Sequence, residues 1–121
     1  MQREIINNIN IIYGKIEELC TSVKRDKNEI TLIAVSKKKS HELIEIALNN
    51  GIENFGENYA QELKEKSFLI NSEKIIWHFI GPIQSNKVKI IANHADWIHS
   101  LEREKIIKKL DTECKKINKT I

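Results

Sequence analysis

Ile5, Ile9, Ile12, Ile16, Leu19 and Val23 recur at alternating spacings of four and three, one apolar stripe with polar residues opposite. That period predicts an amphipathic helix packed on a domain surface, since too few heptads follow for a coiled coil. The pattern then changes. Residues 29–36 read as a strand with an apolar run suited to burial on both faces. Ser40 offers an N-cap to a helix whose Leu43, Ile44, Ala47 and Leu48 form an apolar face. Gly51 stands where a C′ residue would end that helix. Residues 52–56 predict a second strand and 59–68 a second crossover helix. Residues 74–80 give a third strand, closed by Gly81-Pro82, and 85–92 a third crossover helix. Residues 96–99 give a fourth strand, and 102–117 a last helix with Ile106, Ile107, Leu110, Cys114 and Ile117 on one side.

Strand ends thus fall at Lys37, Asn58, Gly81 and Ser100, about twenty residues apart. A helix between every pair of strands implies βαβ units and a parallel sheet. Neither GxGxxG nor GxxxxGK[ST] follows the first strand, which removes the main support for a dinucleotide or P-loop fold. Evenly sized βα units also build a (β/α)8 barrel, but that fold takes about 250 residues and this chain has 121.

In parallel α/β folds ligands bind at the carboxyl ends of the strands, so those ends are where chemistry is sought. Strand alternation places Thr31, Ile33, Val35 and Lys37 on one face, with Leu32, Ala34 and Ser36 on the other. Lys37 is then the last inward residue of its strand, while Lys38 and Lys39 belong to the loop. Two readings of Lys37 stay open at this point. A part-desolvated lysine is an amine nucleophile towards an aldehyde, whereas a snorkelling one only covers the strand end. The same parity groups Asn54, Gly56 and Asn58, with the glycine leaving room for a ligand to approach the backbone. His78 shares a face with Ile76 and Ile80, and is either near a ligand or a hydrogen-bonded core histidine. Asn58, Ser85 and Ser100 taken singly read as helix caps.

Charge changes this picture little. Lys and Arg number 20 against 17 Asp and Glu, a formal net charge of +3 spread along the chain. That distribution does not match the basic stripe of a nucleic-acid binder, although a module contacting phosphates through Lys37, Lys38 and Lys39 is an alternative. Heavy use of Ile, Lys and Asn also fits adenine- and thymine-rich codons. Cys20 and Cys114 are far apart and fall on apolar helical positions, where reduced cysteine acts as a small hydrophobe. No stretch reads as a signal peptide or membrane span, so a cytoplasmic protein is expected. His94-x-Asp96-x-x-His99 lacks standard zinc spacing, and no metal is expected there.

Taken together, AVSK at the first strand end, NFGENYAQE at the second, WHFIGPIQSNK at the third and the following DWIHSLER are specific. Their order and spacing resemble the pyridoxal phosphate homeostasis protein family along the whole chain. The resemblance implies the N-terminal half of a (β/α)8 TIM barrel of the alanine racemase N-terminal-domain type. Residues 1–121 would be one incomplete domain of four parallel strands with an extra N-terminal helix. It implies that Lys37 holds pyridoxal 5′-phosphate (PLP) as a Schiff base, with Asn58 near the pyridine ring. His78, Ser85 and Asn86 lie in matching motifs as further cofactor-site candidates. The implied role is intracellular PLP (vitamin B6) homeostasis without catalytic turnover, with PLP-requiring apo-enzymes as recipients. The alternatives are a PLP-dependent amino-acid racemase or decarboxylase, which would need a second placed acid or base, and a truncated remnant without function. Family members are about twice this length, and in such barrels the phosphate is commonly held after strands seven and eight.

Overall fold

The computed structural model describes residues 1–121. The helices are α1 (Gln2–Ser22), α2 (His41–Asn49), α3 (Ala60–Leu69), α4 (Val88–His94) and α5 (Glu104–Lys116). The strands are β1 (Ile33–Val35), β2 (Asn54–Glu57), β3 (Ile76–Phe79) and β4 (Trp97–Ile98). Single 3-10 turns at Lys27–Glu29 and Ser85–Lys87 precede β1 and α4. All neighbouring strands pair in parallel in the order β1-β2-β3-β4, as the alternation of strand and helix predicts.

The helices cover one face of this sheet. Phe55, Trp77 and Phe79 project into the helical layer and pack in one cluster with Ile44, Leu63, Val88, Ile91, Ile106 and Leu110. Leu63 and Ile91 are fully buried, and burying such a side chain contributes about 1.5–3 kcal/mol. Gly51 follows the C-cap Asn50 with φ +97°, a conformation that favours glycine, so α2 stops where the sequence predicts. Lys119 reaches back from the C-terminal tail to donate to the carbonyls of Ala92 (2.9 Å) and Ala95 (2.6 Å). Its ammonium thereby satisfies carbonyls at the end of α4 and joins the tail to that helix.

The opposite face of the sheet carries Ile33, Asn54, Gly56, Ile76 and His78 in register, with Val35 and Trp97 at its two margins. Val35 is 53% exposed and Trp97 58%, which corrects the expectation that β1 is buried on both faces. Four strands do not curl round to cover their own inner face. The first helix also departs from its stripe. Ile9 and Cys20 are buried, but Ile12, Leu19 and Val23 are exposed, so the side of α1 that packs is not the predicted stripe along its whole length. Every strand is shorter than predicted, since pairing stops where the loops bend away at the ends.

Candidate functional site at the strand ends

β1 ends at Val35, and the chain turns at once. The Lys39 N–H donates to the Ser36 carbonyl at 3.1 Å, closing a four-residue turn with Lys37 and Lys38 at its centre. Lys38 has φ +62°, the left-handed region that an L-residue adopts at a cost of about 1–2 kcal/mol. The three lysines diverge from this turn. Lys38 carries its ammonium to 5.9 Å from the centre of the Tyr59 ring. Lys39 lines a groove against Met1, Glu4 and Asn8. Lys37 is exposed and takes part in no hydrogen bond or ion pair. It is a central residue of the turn rather than a part-desolvated strand residue, because β1 ends at Val35 and leaves it exposed.

Lys37 and Asn58 each stand two residues beyond a paired position, Val35 and Gly56. The Asn58 Oδ1 is buried and has no hydrogen-bond partner. Gly81 fixes the backbone here. A Cβ on Gly81 would lie 2.2 Å from the Asn58 carbonyl oxygen and 2.7 Å from its Cα, so only glycine lets the chain after β3 pass over Asn58. Gly56 has a different role from the one predicted. Its missing Cβ position lies 3.0 Å from Ile80 Cδ1 and 3.3 Å from Ile33 Cγ2. Neighbouring isoleucines fill the space over that glycine, so it serves packing rather than ligand approach.

His78 is inward and also satisfied. It is 4% exposed, with Nε2 2.8 Å from Asn54 Oδ1 and Nδ1 2.8 Å from His99 Nε2. An amide oxygen only accepts, so His78 Nε2 carries the proton and Nδ1 accepts from His99 Nε2–H. The His78 ring also stacks on Trp97, with centroids 6.0 Å apart and planes 16° from parallel. Burial holds the His78 pKa below the ordinary histidine value, His99 adds to that, and Asp96 opposes it. Ser85 and Asn86 lie elsewhere, lining a groove between α4 and α5 with Lys89, Lys108 and Thr112. The cleft of about 460 Å³ beside Asn58 is lined instead by their neighbours Gln84 and Lys87, with Tyr59, Gln61 and Arg103. Of the predicted residues, Lys37 lies in the turn after β1, His78 is on the inner face of β3, and Asn58 lines a cleft with Phe79 and Ile91 of the helical layer, while Ser85 and Asn86 line a separate groove. In the His94-x-Asp96-x-x-His99 stretch, His94 pairs with Ser67, Asp96 accepts from the Trp77 N–H, and His99 meets His78.

The sequence reading missed the charged network behind the turn. Glu57 is 0% exposed and points into the helical layer, where Lys66 of α3 lies 3.0 and 3.1 Å from its two oxygens. Ser36 Oγ donates to the same carboxylate. Lys66 also donates to the Ser36 carbonyl at 2.7 Å and to Glu62 at 2.8 Å. Parity held the available signal, since Glu57 alternates onto the apolar face with Phe55, and a buried carboxylate needs a partner.

Burial pushes the Glu57 carboxyl up to about 7, with the bond to Glu62 adding to the rise and those from Ser36 and Lys66 opposing it. Burial also pushes Glu62 up, but its bonds to Glu57, Lys66 and the Lys38 N–H outweigh this and hold it below the usual range. A carboxyl raised in the folded state binds more protons folded than unfolded in the interval between its two values. The stability Glu57 contributes is therefore fully present below 4.5 and is lost as pH rises towards 7. Denaturant midpoints of Glu57→Gln are expected to fall less than wild type across that window; parallel curves would refute the assignment.

The class is now defined: four parallel βα units, half of a (β/α)8 barrel, with an unengaged lysine at the end of the first strand. In sequence the chain is a relative of the pyridoxal phosphate homeostasis proteins. It is 44% identical over 111 residues to that of Haemophilus influenzae, 46% over 100 to that of Buchnera aphidicola, and 40% over 109 to that of Pseudomonas aeruginosa. These alignments cover 90%, 82% and 90% of the chain. The chain spans about half the length of the curated relatives it matches: 47%, 44% and 47% in the same order. Among solved structures, PipY of Synechococcus elongatus with PLP bound superposes with a TM-score of 0.72 at 33% identity, over 85% of this chain and 49% of that one. PipY without PLP gives 0.74 at 31%, over 87% and 49%. A Bifidobacterium adolescentis protein of unknown function gives 0.89 at 23% identity, over 99% and 53%, and supports the fold alone. No family model matches the chain.

Proposed function

We propose that residues 1–121 form one incomplete barrel domain that binds PLP through Lys37 and serves its homeostasis in the cytoplasm, without catalytic turnover. The observation that carries this reading is an unengaged Lys37 amine after one strand and a buried, partnerless Asn58 Oδ1 after the next. Those two groups suit the cofactor, which needs an amine for its aldehyde and a polar contact for its ring. Bound PLP supplies an aldehyde and an electron-withdrawing ring. Lys37 would hold it covalently and Asn58 would orient it. Support for a carrier rather than a catalyst is that the relatives are named for homeostasis and that His78 is already committed to Asn54 and His99. PLP-requiring apo-enzymes are the recipients such a carrier would serve. Cys20 and Cys114 are both free thiols, in keeping with a reducing compartment, and no helix is long and apolar enough to cross a membrane.

The test is incubation with PLP, borohydride reduction and peptide mass mapping. Label at Lys37, abolished in Lys37→Ala, is expected. Label that persists in that variant, or a wild-type chain that takes none, overturns the proposal for this chain.

A further inference from the structure

The backbone on both sides of Lys37 is gripped from behind the sheet. Lys66 Nζ donates to the Ser36 carbonyl at 2.7 Å, and the Lys38 N–H donates to Glu62 Oε1. Ser36 Oγ donates to Glu57, whose carboxylate is bound to the same Lys66 ammonium. One buried cation thus links both carboxylates, and through them residues 36 and 38, to α3. Burying such ions is a poor way to gain stability, because their desolvation offsets much of their attraction. What the arrangement does supply is a single geometry for the turn. It holds Lys38 at φ +62°, which sends that side chain towards Tyr59, while Lys39 turns towards Met1 and Glu4.

We infer that Glu57, Glu62 and Lys66 are positioning residues for Lys37, locking the Ser36–Lys39 turn so that its three exposed amines leave in different directions and only that of Lys37 serves the strand end. The inference rests on the reading above, that Lys37 is the lysine that takes PLP. It adds that selectivity among three adjacent lysines is set by side chains that never touch the cofactor.

Glu62 is the residue to vary, because it is part-exposed and its loss leaves the Glu57–Lys66 contact in place. Wild type, Glu62→Ala and Glu62→Gln are treated with PLP and borohydride, and label is counted at each of Lys37, Lys38 and Lys39. In Glu62→Ala the ratio of Lys37 label to the other two is expected to fall about tenfold, the scale of one charge-assisted hydrogen bond. Glu62→Gln keeps an oxygen for the Lys38 N–H and is expected to restore the ratio. Lys38 amide hydrogen exchange, read by NMR, should quicken by about the same factor in Glu62→Ala only. An unchanged ratio with unchanged exchange in Glu62→Ala overturns the inference. Should wild type take no PLP label, the proposed function fails separately. The turn is then read by amide exchange and by reductive methylation with formaldehyde, which needs no cofactor site.

Discussion

At pH well above 7, Lys66→Met is expected to destabilise the fold by up to about 3–5 kcal/mol, because it strips the ammonium from Glu57 and the carboxyl must then ionise without its partner or hold a proton against the pH. Glu57 is fully buried, Lys66 is 5% exposed, and the lysine bonds to Glu57, Glu62 and Ser36 together. Methionine conserves most of the stem's volume, so the loss reads the ionic contact rather than a cavity. The double variant Lys66→Met with Glu57→Gln should regain part of the stability, since the second change removes the stranded charge. A urea denaturation series checks both; a single-variant loss below about 1 kcal/mol, typical of a surface pair, would show that the network is solvated.

Gly81→Ala is the second large effect. Its Cβ would fall within 2.8 Å of three backbone atoms of Asn58, and backbone yields less readily than a side-chain tip. The cost is expected at the upper end of overpacking, about 3 kcal/mol. The displacement should fall on Asn58, whose amide is the partnerless group of the proposed site. A lowered thermal midpoint together with weakened PLP labelling would match. Labelling unaffected by a destabilising Gly81→Ala would detach Asn58 from the cofactor.

Much of this architecture was legible from periodicity. The spacing of strand ends gave four parallel units, and alternation put Ile33, Gly56 and His78 on the face away from the helices. Alternation reports a side of the sheet, but not what fills the space there. It left Gly56 open to a ligand when Ile33 and Ile80 occupy that space, and it could not say that His78 is satisfied by Asn54 and His99. The charged network escaped for another reason. Glu57 and Lys66 are nine residues apart across a strand end and a helix start, and no local period brings them together. Lys37 itself was found by its motif and its strand-end place. That it lies exposed in a turn came from β1 pairing only as far as Val35.

The two tryptophans sit on opposite sides of the sheet: Trp77 buried against Phe55 in the helical layer, Trp97 open on the inner face over His78. The molecule thus contains two fluorophores in unlike surroundings, a shielded emitter and a water-exposed one. Unfolding would redden the shielded emitter and leave the exposed one nearly unchanged, so the colour of the emission would report loss of the helical layer without any added dye.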